Sequence, residues 1–133
     1  MTLHRVNPSA LVGPRGFSHA VVGEGRLICL AGQTALDADG RIVGHDVVSQ
    51  FRQALSNVLT ALDAAGGHPG ELASMTVFVV DIVDYREHAS ELGRVWRKLV
   101  GSEYPAMAAV EVSRLWDEAA LVELLGLAIT SAR

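Results

Sequence analysis

Tyr104-Pro105-Ala106-Met107-Ala108-Ala109-Val110-Glu111-Val112-Ser113-Arg114-Leu115 reads as an extended segment with a fixed beginning. Pro105 has no N–H to give to a ladder, so it suits the start of a strand and not its middle. Behind it Val110 and Val112 alternate with Glu111 and Ser113, the period of a strand. After a polar break at Asp117-Glu118 comes a second apolar run, Leu121 to Ile129, with one acid inside it, Glu123.

Upstream, Asp84 opens a helix with Tyr85, Leu92, Val95, Trp96 and Leu99 at helical spacing, closed by Gly101. Before it, Leu72 to Ile82 contains Met75-Thr76-Val77-Phe78-Val79-Val80, a β-rich run apolar on both faces, which predicts a central strand. The clearest helix precedes that strand. Val47, Val48, Phe51, Ala54, Leu55, Val58, Leu59, Leu62 and Ala65 recur three and four apart, His45 or Asp46 can cap the start, and Gly66-Gly67 stops it. Further upstream, Phe17 to Val22 and Arg26 to Ala31 read as the arms of a hairpin around Gly23-Glu24-Gly25, and Leu3 to Val6 as a first strand.

The order is strand, strand, strand, helix, strand, helix, strand, strand. Two βαβ-type passes put both helices on one sheet face and leave the other without cover. Copies of the same chain are the economical cover. The chain has 133 residues, half of them hydrophobic, and is read as a single domain over 1–133. Its mean hydropathy of +0.28 is high for a small monomer and points the same way.

The C-terminal pair of segments resembles the signature of the RidA/YjgF family, the reactive-intermediate deaminases. The matching residues are Tyr104-Pro105-Ala106, Val110-Glu111-Val112, Leu115 and Val122-Glu123. Four more patches resemble the family in the same order: Gly16 to Val21, Leu30-Ala31-Gly32-Gln33, Phe51 to Val58 and Val77 to Asp81. The resemblance implies an α+β, chorismate-mutase-like fold, with a six-stranded, mainly antiparallel sheet and two helices on one face. It also implies a homotrimer and a small-molecule cleft between subunits that hydrolyses 2-imino acids and their enamines.

Carried over residue by residue, the site is altered. Glu123 keeps the family's acid and Gly32 its backbone turn. Phe17 keeps a tyrosine's ring without the hydroxyl, Ala31 stands for a serine, and Ala109 for a residue that is cysteine in some members. Met107 stands where the family has the arginine that grips the substrate carboxylate, and Trp116 where it has proline. A guanidinium binds a carboxylate through two parallel hydrogen bonds, and a thioether cannot. The expectation is therefore an apolar cleft of Phe17, Ala31, Met107 and Ala109, rimmed by Trp116, with Glu123 as its one strong polar group. Deaminase activity is expected to be weak or absent. The alternatives are a hydrolase or deaminase acting on an acyl or amide substrate, with Glu123 activating water, and a non-catalytic regulatory protein.

Net charge is −4 and Lys98 is the only lysine, so no basic stripe favours a nucleic acid, and an RNA-directed role is not expected. No apolar run reaches membrane-spanning length and no leader pattern opens the chain, so a cytoplasmic protein is expected. The five histidines lack metal-ligand spacing, and neither metal nor cofactor is expected. Cys29, the single cysteine, is read as a buried, inert thiol. Structural roles compete for three more residues: Glu123 as the partner of an arginine such as Arg114, His19 as a hydrogen-bonding strand residue, and Arg15 as a solvated loop charge.

Overall fold

A computed structural model describes residues 3–131. The elements run β1 (His4–Val6), β2 (Ala20–Val22), β3 (Arg26–Cys29), α1 (Val47–Ala64), a 3₁₀ turn (Pro69–Glu71), β4 (Leu72–Val79), α2 (Ile82–Glu87), α3 (Ala89–Leu99), β5 (Ala106–Glu111) and β6 (Val122–Thr130).

α1 starts where a cap is available. The Asp46 carboxylate accepts from the Ser49 N–H at 2.8 Å, so Asp46 and not His45 is the cap. The helix stops because Gly66 takes φ +93°, a conformation glycine adopts without a Cβ clash. The Gly67 N–H then closes onto the Leu62 carbonyl at 2.9 Å, satisfying a carbonyl the helix end would leave bare. Phe51, Ala54, Leu55, Val58 and Leu62 are buried along one stripe. They meet Met75, Val77 and Val79 of β4 and Val122, Leu124 and Ala128 of β6 in one core.

The strands form a four-stranded sheet, ordered β3-β6-β4-β5, and a two-stranded ribbon, β1-β2. Three of the four ladders are antiparallel; β4 and β5 run parallel, as a helical crossover requires. The expected single six-stranded sheet is therefore divided. One parallel bridge, Ser18 to Ala106, links the approach to β2 with the β5 edge. The expected β2–β3 hairpin does not form either. β2 pairs with β1, whereas β3 pairs with β6 at the opposite edge of the larger sheet. The glycines read as a hairpin turn instead let the chain pass closely: a Cβ on Gly23 would collide with Leu3 and approach Ile129 Cδ1 at 3.5 Å.

The second expected helix is two. α2 is capped by Asp81, whose carboxylate accepts from the Asp84 N–H at 3.0 Å. His88 leaves helical geometry, at φ −102° and ψ 17°, and its ring bonds back to the Asp84 carbonyl at 2.8 Å. The break lets α2 lie against β5 and α3 against α1.

The face of the larger sheet away from the helices is covered only in part, where Leu3 and Gly23 lie near Ile129. Leu27 (63 %), Leu125 (43 %), Leu127 (40 %) and Val110 (39 %) remain exposed on it. Cys29 lies on this face and is exposed, not buried as expected. It pairs with Leu127, whose side of the strand faces away from the core. Among the described residues no helix is long and apolar enough to cross a membrane.

Candidate functional site

Residues paired across strands share a face, so register decides which side chains can meet. Met75 and Val77 of β4 point into the core. Their β5 partners are Met107 and Ala109, which therefore face the helices. Glu123 pairs with Phe78, one residue out of step with Leu124 opposite Val77, and so faces the side away from the helices. In one chain Met107 and Glu123 lie on opposite faces of the sheet.

The acid's surroundings are built by the chain after β3. Gln33 and Leu124 exchange backbone hydrogen bonds at 2.8 and 2.9 Å, which holds Gly32 against Glu123. A Cβ on Gly32 would overlap the carboxylate, with Glu123 Cδ only 3.0 Å away. Glycine leaves the carboxylate its present place; a larger residue would make this side chain shift. Ala31 and Gly32 are exposed and Glu123 is half-buried. The Glu123 carboxylate forms no hydrogen bond or ion pair among the described residues, with Arg114 or any other side chain.

Met107 belongs to a different cavity, of about 490 Å³, between α3, β5 and the loop at Arg15-Gly16. Buried side chains form its inner wall. Trp96 stacks on Tyr104 with ring centroids 5.3 Å apart, and Phe51 meets Tyr85 edge-on at 6.4 Å. Trp96 Nε1 donates to the Glu103 carbonyl, and the Tyr104 carbonyl accepts from Ser18 Oγ at 2.7 Å, so the aromatic wall is anchored at both ends. Exposed side chains form its mouth: Arg15, Arg94 and Arg97. One chain by itself does not bring Met107 and Glu123 of the expected cleft together. The cavity beside Met107 carries three arginines and no acid, and Arg15 lines it from the loop.

Burial pushes the Tyr85 hydroxyl up to about 12. The folded chain keeps this proton while the unfolded chain loses it near 10, so stability is fully present below pH 10 and declines as pH rises toward 12. The difference amounts to roughly 2 kcal/mol at pH 12. Denaturant titrations at pH 7, 10 and 12 are expected to show this decline in the native chain and not in Tyr85→Phe.

Of the remaining expected site residues, Phe17 lies half-buried beside the Ser18–Ala106 bridge, its ring edge-on to His19 at 5.0 Å. His19 has the structural role weighed for it: its Nε2 bonds the Val12 carbonyl at 2.8 Å. Trp116 is 99 % exposed. No cluster of three or more metal-binding side chains occurs among the described residues.

Comparison with known proteins fits this arrangement. The model of the Endoribonuclease L-PSP family matches residues 8–130. This chain belongs to that family. A RutC family protein of Pyrococcus horikoshii is 35 % identical over 105 residues, 78 % of each chain. The 2-iminobutanoate/2-iminopropanoate deaminase of Salmonella typhimurium is 32 % identical over 114 residues, 86 % of each. A crystal structure of a Rid-family protein of unknown function from Yersinia pestis superposes with a TM-score of 0.88 at 28 % identity, covering 98 % of this chain and 100 % of that one. The α+β arrangement of helices and mixed sheets is the Rid/YjgF fold.

Within this L-PSP-family chain, sequence reasoning missed Arg94, Arg97 and Gln50. The arginines stand at i and i+3 on the outer side of α3, where charge ordinarily means solvation. Gln50 interrupts the apolar stripe of α1 and is 2 % exposed. A buried amide at that position signals hydrogen bonds to loops, but only the fold shows which loops.

Proposed function

We propose that this Rid-family chain assembles as a homotrimer whose clefts between subunits bind a small molecule, with weak or no turnover of free 2-imino acids. Met107 carries the reading. It presents a thioether on the wall of the 490 Å³ cavity, where the family resemblance places a carboxylate-gripping arginine. A charge-assisted hydrogen bond contributes about 1.5–3 kcal/mol, so its loss costs roughly tenfold to a few hundredfold in binding. The apolar side chains exposed on the sheet face away from the helices support association of copies. The opposite facing of Met107 and Glu123 supports a cleft made by two of them, one bringing Met107 and Ala109, the other Ala31, Gly32 and Glu123. Net charge of −4 and a lone lysine weigh against an RNA substrate.

The test is turnover of imines generated from alanine or 2-aminobutyrate, beside the Salmonella deaminase. We expect kcat/KM at least about tenfold lower for this chain. Comparable turnover overturns the reading.

A second reading is favoured by the free, half-buried carboxylate of Glu123. Unengaged within the chain, it is available to activate water against an acyl or amide substrate. Glu123→Gln then abolishes hydrolysis while leaving the mass of the assembly unchanged. Activity that survives in the variant removes this reading.

A further inference from the structure

Arg15, Arg94 and Arg97 converge on one cavity mouth, and none of them has an ion-pair partner among the described residues. Among the described residues Arg5 alone of the arginines has an ion-pair partner, Glu103, so what sets these three apart is that they line one cavity that no acid lines. The grouping is built by two elements. Arg94 and Arg97 lie one turn apart on α3, so both heads reach the same side. Gly93 leaves room for the Arg97 head: a Cβ there would stand 3.3 Å from Arg97 Nη1. Arg15 is brought in by the loop that turns at Gly16, φ +75°.

Behind the mouth the cavity is apolar and aromatic, with Met107, Trp96, Tyr104 and Phe51. The charge order is therefore the reverse of one suited to a short 2-imino acid, whose carboxylate would need a cation on β5. An apolar body goes in first, and the anion stays at the rim.

We propose that this cavity binds a small molecule with an aromatic or apolar body and a doubly charged oxyanion head, held by Arg15, Arg94 and Arg97. The assignment rests on the small-molecule reading given above and names the class of ligand. Guanidinium forks match a phosphate or carboxylate head by paired hydrogen bonds. Three guanidiniums and no acid line the cavity, so a dianion offsets more of the positive charge than a monoanion does. The volume of about 490 Å³ falls in the ordinary range for ligand pockets.

Calorimetric titration at fixed ionic strength tests the proposal with four probes: phenyl phosphate, phthalate, benzoate and benzyl alcohol. Phenyl phosphate is expected to bind at least about tenfold more tightly than benzoate or benzyl alcohol. The double variant Arg94→Gln/Arg97→Gln and the single Arg15→Gln should remove that advantage and leave benzyl alcohol binding unchanged. Phthalate binding equal to phenyl phosphate assigns dianions in general; weaker phthalate binding assigns phosphomonoesters. If benzyl alcohol binds and the phosphate adds nothing, or the double variant binds phenyl phosphate as the native chain does, the anion assignment is overturned while the ligand cavity stands. If no probe binds, the cavity reading falls with it.

Discussion

Met107→Arg is expected to raise kcat/KM for alanine-derived imine by roughly tenfold to a few hundredfold. The side chain already faces the cavity, because its β4 partner Met75 is 1 % exposed on the same side of the sheet. An arginine there needs no change of register to reach a carboxylate seated on β5. It also joins Arg15, Arg94 and Arg97, so without ligand four like charges share the cavity and the variant melts lower than the native chain. An added carboxylate should restore the melting temperature, since a ligand that binds only the folded state stabilises it. Met107→Lys serves as the control: an ammonium supplies the charge without the planar fork, and a smaller gain is expected. No change in the arginine variant, with its fold intact, shows that the residue at position 107 does not set carboxylate use.

The second large effect concerns stability. Gln50 donates to the Gly44 carbonyl at 3.2 Å and the Ala119 carbonyl at 3.1 Å, and accepts from the Leu121 N–H at 2.8 Å. One buried amide thus joins α1 to the loop before it and to the segment that leads into β6. Gln50→Ala removes the side-chain partner of these groups at a position only 2 % exposed. We expect a loss of about 3 kcal/mol and a fall in melting temperature of roughly 10 °C, measured at matched protein concentration. Gln50→Glu keeps the acceptor for Leu121 but sets a buried carboxylate against the Gly44 and Ala119 carbonyls, so it should cost at least as much as alanine. A change in Gln50→Ala within about 0.5 kcal/mol would mean the three bonds are replaced by solvent.

α1 was legible because its period, its Asp46 cap and its double-glycine stop agree, and each acts within a few residues. The β5 and β6 strands were legible for the same reason, through Pro105 and the uniform β character that follows. The hairpin around Gly23-Glu24-Gly25 was misread because local turn chemistry says only that the chain bends, not which strand it then meets. The break at His88 was invisible: no glycine or proline marks it, and α2 and α3 diverge to satisfy different neighbours. The candidate site divides likewise. The nearness of Gly32 to Glu123 needed the Gln33–Leu124 bridge, and the arginine-lined mouth needed α3 laid beside β5.

By itself the sequence determined the order of the strands, the apolar stripe of α1, the family, and the residues standing at its site positions. These depend on interactions a few residues long or on motif order, and both are written in the chain. Only the tertiary structure decided that Met107 and Glu123 face opposite ways and that Arg15, Arg94 and Arg97 share one cavity. Side-chain direction in a strand alternates with period two, so a face is defined only once a partner and a register are chosen. That choice is made by burial across the whole sheet, where β4 and β6 must turn the same set of residues toward α1.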